Sequence, residues 1–407
     1  MKVAVIGGGA AGFFAAISSK QHHPEAEVIL FEKGYKLLSK VKVSGGGRCN
    51  VTHACFDGNQ LTKHYPRGEK FLKKAFGQFS TTDTVEWFET RGVELKTEED
   101  GRMFPITDHS QTIINCLTDK ASQLGVRLEL QNAVLYIDRI ENGFNLSLKD
   151  ETHFFVNKII VATGGSPKLE GFEWLRELGH KIEPPVPSLF TFNMPEEKIK
   201  ELMGVVVENA TIKVQGTKLK QSGPLLITHW GMSGPAILKT SAWGARILSD
   251  LNYNFKIQVN WLGEAKENDV RSLIQEQQAN HHKRMVVNRN PFGLPARLWE
   301  FLLQKNELRD NITWGEIGQK GINKLVNTLL NDVYEVKGKT TFKEEFVTCG
   351  GIALSEVSNS TMESKIVPGL YFAGEVMDID GITGGFNFQS AWTTGFIAGK
   401  LLNGSSI

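Results

Sequence analysis

The stretch KVAVIGGGAAGFFAAISS, Lys2 to Ser19, decides how the rest of the chain is read. A run of buried-type residues, Val3 to Ile6, leads directly into Gly7-x-Gly9-x-x-Gly12, and an apolar helix pattern follows. A second strand pattern, EVILFE, ends in an acid at Glu32, twenty residues past Gly12. Each part has a mechanical role in holding a dinucleotide. Gly7 permits a tight turn, Gly9 lets a pyrophosphate approach the backbone, and Gly12 lets the helix pack on the strand. With Ala10 and Ala11 between the glycines, the helix opens with free N–H groups and roughly half a positive charge facing the phosphates. Glu32, followed by Lys33, suits the hydroxyls of a ribose and disfavours a 2′-phosphate, so the spacing predicts FAD or NAD and not NADP. The motif by itself does not separate those two.

Three further stretches favour FAD. KVKVSGGGRCNVTH, starting at Lys40, sets Ser44, Gly45, Gly46, Gly47, Arg48, Cys49 and Asn50 soon after the ribose acid. A flavin cofactor is long enough to need a second loop along its pyrophosphate and ribityl chain, whereas an NAD dehydrogenase has no such need. The plainer alternative is a surface hairpin with a basic residue. KIIVATGG is a continuous apolar strand ending at Ala162, Thr163 and Gly164, as expected where a parallel central strand meets a nucleotide. Upstream, QNAVLYI is another strand, whose backbone near Ala133 and Val134 is placed to hydrogen-bond adenine.

The third stretch lies near the end of the sequence. GLYFAGEVMDIDGITGGFNFQSAW reads as a strand ending at Gly374-Glu375, a loop, and a helix beginning near Gly385. Glu375 then binds ribityl hydroxyls, Gly384 clears space, and the amides of Gly385, Phe386 and Asn387 face the pyrimidine edge of the ring. A helix N-terminus stabilises the negative charge of a reduced flavin there by roughly 0.3–2 kcal/mol. An ordinary helix start after a glycine turn is the alternative.

Ser44-Gly45 followed by Gly47-Arg48-Cys49-Asn50, with GRMFP at 101–105, THWGMSGPAIL at 228–238, TCGGI at 348–352 and GEVMDIDGITGGFN at 374–387, resembles the BaiN-like (YhiN-like) NAD(P)/FAD-dependent oxidoreductases. Some members of that family are described as aminoacetone oxidases. The resemblance runs over the whole chain. It implies FAD in an α/β, Rossmann-like domain of the glutathione-reductase type, made discontinuous by an inserted domain. It does not imply one substrate. No His or Cys stands out as a tether, so the flavin is expected to be bound non-covalently.

On this reading residues 1–189 and 344–407 form the FAD-binding domain, and 190–343 form an inserted β-barrel-like domain with a helical part at about 264–333. EPPVPSLFTF, with three prolines in four residues, marks the first boundary by breaking both helix and ladder. Residues 165–345 hold no second GxGxxG, so a nicotinamide cofactor that reduces the flavin docks transiently, without a Rossmann fold of its own.

Composition narrows the remaining roles. Lys and Arg number 46 against 45 Asp and Glu, so no global field recruits nucleic acid or an anionic membrane. The basic runs at Lys63–Lys74 and His281–Arg284 are expected to be solvated faces, with contact to RNA through their aromatic neighbours as the alternative. Four cysteines without a CxxC suit a reducing cytoplasm, and the apolar segment Val3–Ile17 is too short to span a bilayer. Cys49 and Cys55 invite a redox-pair reading, although the resemblance explains Cys49 as part of the flavin loop. His229 is a candidate proton donor, Ser233 an N-cap ahead of Pro235, and Arg102 a candidate for binding a substrate carboxylate or a nicotinamide phosphate. No His or Cys spacing suggests a metal. The expected function is an FAD-dependent oxidoreductase passing a hydride between flavin and a small organic substrate. An NAD-only dehydrogenase and a non-catalytic flavin-binding sensor or RNA-associated protein are the alternatives. No side chain is singled out as a certain acid or base.

Overall fold

The computed structural model describes residues 1–341 and 347–403. The chain divides into two compact units, Met1–Ser188 with Phe342–Ile407, and Leu189–Thr341. The second boundary expected from the sequence, at residues 343 and 344, lies outside the described residues.

The first unit is built on a five-stranded parallel sheet. At its centre is β1, Lys2–Ile6, whose Val3, Ala4 and Val5 are fully buried. It pairs with β2, Glu27–Glu32, on one side and with Lys158–Val161 on the other. Leu370–Phe372 and Arg127–Leu130 form the edges. A parallel sheet is covered on both faces, which is why its strands are continuous apolar runs and not alternating ones. Between β1 and β2 runs α1, Ala10–His22, in which every residue from Ala11 to Ser19 is buried. Its outer face is taken by the C-terminal helix Phe386–Gly399. Small residues make that approach possible: a Cβ on Gly395 would stand 2.6 Å from Ala11 O, and one on Gly399 2.5 Å from Ser18 Cβ. The two ends of the sequence therefore meet at one place.

Against the expectation that three prolines would break the ladder, Ile182–Pro187 is a strand, antiparallel to Thr348–Ile352. The register slips between Glu183 and Val186, so Pro184 and Pro185 fall where no ladder bond is required.

The second unit is a seven-stranded antiparallel sheet with helices attached. Its terminal strands, Asp332–Lys337 and Lys339–Thr340, pair with Asn254–Asn260 and with Thr191–Asn193 respectively. Only Gly338, in the left-handed region at φ +91°, separates them, so a single bent strand joins both edges and closes the sheet into a barrel. The strict inward and outward alternation of Asp332–Lys337 agrees with one face turned to a packed interior. Helices Glu267–His281, Ala296–Lys305 and Gln319–Asn331 bury Ile274, Trp299, Leu302, Leu325 and Leu329 in the same core. Ser233 is not the cap of the helix it precedes. It belongs to the strand Gly231–Ser233, and Gly234 at φ +91° is the N-cap, with Pro235 at the first position. A side chain at 234 would press on the backbone of Pro224 and Leu226, which leaves room only for glycine.

Candidate functional site

The turn after β1 gives its three glycines three different tasks. Gly7 adopts φ +116°, and a Cβ there would lie 2.4 Å from Ala162 O; its N–H bonds Phe31 O at 2.8 Å. Gly12 passes so close to the turn that a Cβ would lie 1.9 Å from Gly7 O. Gly9, by contrast, is the N-cap of α1 and faces open space: a Cβ would meet nothing within 4 Å. The first bond of α1 runs from Phe13 N–H to Gly9 O at 3.0 Å, so the amides of Ala10, Ala11 and Gly12 have no acceptor inside the helix. Glu32, at the end of β2, accepts from Gly8 N–H and Gly34 N–H, each at 2.8 Å. Its carboxylate is thus fixed beside the turn, with the neighbouring Lys33 exposed.

The glycine triplet is not a hairpin. It forms the end of α2, Ser39–Gly47, which kinks where Ser44 turns extended and Gly45 and Gly46 turn left-handed. Ser44 holds the kink with its hydroxyl on Val41 O and its carbonyl on Cys49 N–H. Gly45 packs so that a Cβ would lie 2.8 Å from the Phe104 ring, whereas Gly46, Gly47 and, after Lys158–Val161, Gly164 all face open space. Ala162 is buried and Thr163 exposed at that strand end. Four glycines from three segments therefore border space that side chains would fill. Arg48 lies over Phe104 at 3.9 Å and pairs with Glu98 at 2.6 Å, and this bond raises its pKa. Arg102, the other basic candidate, pairs with Glu98 and Asp100. The Cys49 thiol is fully buried and pushed up to about 12 by desolvation, unlike a redox-active thiolate. Cys49 and Cys55 are both free.

The C-terminal glycines meet this second loop. With its amide oriented to satisfy both neighbours, Asn50 accepts from Gly385 N–H at 2.9 Å and donates to Thr52 O at 3.0 Å. Thr52 Oγ1 bonds Gln389 at 2.6 Å, and Trp392 Nε1 bonds Val51 O at 2.9 Å. Gly385 therefore spends its amide on Asn50. The first helical bond is Gln389 N–H to Gly385 O, so the amides of Phe386, Asn387 and Phe388 are those without an intrahelical acceptor. The Asn387 side chain clamps Gly381 through both its N–H and its carbonyl, at 2.8 and 2.9 Å. Gly374 N–H is held by Thr394 Oγ1, and Glu375 bridges Lys40 Nζ at 2.7 Å and Thr348 N–H at 2.8 Å. The Thr348 hydroxyl beside it is buried without a partner. A group bearing hydroxyls and phosphates fits an acid, an orphaned hydroxyl, two helix N-termini and a glycine-bordered space, so the residues suit FAD.

Val134 opens the edge strand Val134–Ile140 and Ala133 precedes it; Asn132 N–H bonds Glu32 O at 3.2 Å, which ties this segment to the end of β2, and the Ala133 carbonyl accepts from Lys149 N–H. His229 is exposed in the second unit, beside Trp230. The run Lys63–Lys74 is not merely solvated: Tyr65 is fully buried and donates to Phe386 O at 2.7 Å, and Arg67 pairs with the buried Asp380. Reading that run by charge alone missed these two residues. The sequence reading also passed over His53 and His64 as members of the site; their rings stack on Phe386 at 4.6 and 4.3 Å, with His53 Nδ1 3.0 Å from Gly384 O. In the sequence His64 stands beside Tyr65 and His53 three residues past Asn50, and neither spacing by itself marks a role.

A family model described as "HI0933-like protein Rossmann domain" matches residues 1–401. The ribosomal RNA dihydrouridine synthase of Escherichia coli is 31% identical over 399 residues, covering 96% of this chain and 95% of its own. The 3-dehydro-bile acid delta(4,6)-reductase of Clostridium scindens is 26% identical over 416 residues, with 98% of both chains covered. Among solved structures, 3-ketosteroid delta1-dehydrogenase from Sterolibacterium denitrificans superposes with a TM-score of 0.50 at 12% identity, covering 98% of each chain; this likeness concerns the fold alone.

Proposed function

The chain belongs to the HI0933-like Rossmann-domain family and is an FAD-dependent oxidoreductase, and on that premise we propose that it reduces the C5=C6 double bond of uridine in ribosomal RNA. The similarity to the Escherichia coli enzyme over nearly the full length of both chains carries this reading. The bile acid reductase supports the reaction class, because a steroid double bond conjugated to a ketone and the C5=C6 bond of uracil, conjugated to C4=O, ask for the same chemistry. Such a bond gains a hydride at one carbon and a proton at the other.

Bound FAD supplies the two-electron chemistry, and a nicotinamide cofactor docking transiently supplies the electrons. The chain's own residues then divide the work. Gly9 and the free amides of Ala10 and Ala11 would seat the pyrophosphate at α1 on the turn that Gly7 and Gly12 shape, and Glu32 would take the adenosine ribose. Lys40 fixes the Glu375 carboxylate, which would meet the ribityl hydroxyls. The amides of Phe386 and Asn387 favour negative charge at the pyrimidine edge. His53 and His64 are the proton-bearing groups at that helix start, and one of them donates to the substrate.

The test incubates the flavin-loaded protein with unmodified ribosomal RNA and NADH or NADPH, and analyses the digested nucleosides by mass spectrometry. Dihydrouridine appearing only when flavin and reductant are both present is the expected result. Reduction of a steroid enone with the RNA unchanged would favour a small-molecule substrate. No reduction of either would reject the reductase reading.

A further inference from the structure

Residues 61–76 carry two faces with different partners. The inner face grips the loop that precedes the C-terminal helix: His64 O accepts from Ile382 N–H at 3.0 Å, Tyr65 Oη donates to Phe386 O, and Arg67 Nε donates to Asp380 Oδ1 at 2.5 Å. In the helix Glu69–Phe76, residues Phe71, Leu72, Ala75 and Phe76 point into the core. The outer face exposes Lys63, Lys70, Lys73 and Lys74, with Glu69 as the acid among them. Four positive charges against one negative leave +3 on this face, in a chain whose formal net charge is only +1. Lys63 reaches Gln60 at 3.3 Å.

We propose that this lysine face binds the phosphate backbone of the RNA whose uridine enters beside the 380–387 loop. The proposal rests on the RNA reading given above. Three observations favour it. The positive charge is local, so the near-neutral whole chain does not argue against a polyanion here. None of the exposed large hydrophobic residues falls within 61–76, whereas a helix that lies on a membrane needs an exposed apolar face. And the same segment is bonded on its other side to the loop that shapes the flavin end of the site, so phosphates held by the lysines stand in a fixed relation to it.

The experiment measures binding of the flavin-loaded protein to a short fluorescein-labelled single-stranded RNA by anisotropy, across a salt series. Each backbone contact contributes about 0.7 to the slope of log affinity against log salt for single strands. Changing Lys63, Lys70, Lys73 and Lys74 together to Gln should flatten the slope by about 3 and weaken binding by ~tenfold or more at moderate salt. The pair Lys70→Gln and Lys74→Gln should produce about half the change in slope. This pair also guards against failure of the fourfold variant to fold. Lys283→Gln with Arg284→Gln, in the second unit, should bind like the parent protein. If the parent binds RNA and the lysine variants match it, the surface assignment is overturned while the RNA reading stands. A loss confined to the Lys283 and Arg284 variant overturns the assignment in the same way. If the parent binds no RNA at low salt, or binds anionic phospholipid vesicles in its place, the RNA reading fails and the surface assignment falls with it.

Discussion

Gly9 and Gly12 occupy equivalent-looking places in one motif, yet the structure asks opposite things of them. Gly12→Ala would drive a Cβ to 1.9 Å from Gly7 O, against backbone that cannot move aside. It is expected to destabilise the protein by several kcal/mol, on the order of 3 or more, read as loss of soluble folded protein or a large drop in Tm. Gly9→Ala meets nothing and keeps an allowed extended conformation at φ −93°. Its unfolding free energy without flavin should stay within about 1 kcal/mol of the parent's, while flavin content after purification falls. Equal stability loss in both would mean that Gly9 serves packing, not a cofactor. Cys49 offers a second test. Its buried thiol should resist alkylation in the folded protein while the half-buried Cys55 reacts, as read by peptide mass spectrometry. Fast labelling of Cys49 would reopen the redox-pair reading.

The decisive element is the loop from Asp380 to Gly385, which presents the C-terminal helix. Asp380 is fully buried, receives two bonds from Arg67 and one from Ser188 Oγ, and is pushed up by burial against the opposing pull of Arg67. Arg67→Met would leave that carboxyl uncompensated and is expected to cost about 3–5 kcal/mol in urea unfolding. Adding Asp380→Asn should recover part of the loss; a double variant as unstable as the sum of both single changes would show that the two residues are not coupled. His180 makes the other element-level prediction. Its ring is buried between Glu356 and Ser364, and desolvation lowers its pKa despite the nearby acid. The folded protein therefore binds this proton less readily than the unfolded chain. Stability from this site is complete above the ordinary histidine value and is lost as pH falls from that value through the lowered one. Tm of the parent should drop over that range, and His180→Gln should show a shallower drop. An unchanged profile would count against a neutral buried ring.

At the scale of the whole chain, the second unit is a single uninterrupted segment, Leu189–Thr341, with a closed barrel and its own apolar core. Expressed alone, residues 189–341 are expected to fold and to melt cooperatively without binding flavin, as followed by circular dichroism and absorbance. A broad, non-cooperative melt would show that the barrel depends on the rest of the chain. No helix among the described residues is long and apolar enough to cross a membrane.

Much of this was legible in the one-dimensional pattern. A strand, a spaced glycine triplet, a helix and a second strand ending in Glu32 suffice for a parallel α/β unit, because each step is local: a turn, a helix start, a period of apolar residues. The same locality let the barrel strands and the helices of the insert be read from alternation and from helical spacing. Local pattern fails where partners are distant in sequence. Arg67 reads as one more charge in a basic run until Asp380, more than three hundred residues later, removes it from solvent. Gly385 reads as a free helix-start amide until Asn50 accepts its hydrogen bond. Pro184 and Pro185 read as a break until the register slip beside Thr348–Ile352 accommodates them. The sequence by itself determined the dinucleotide fold and its family, since these depend on short-range geometry. Only the tertiary structure decided which groups in the site are already bonded and which face open space, because the low dielectric of a packed interior makes an unpaired polar group costly and so favours a partner wherever along the chain that partner lies.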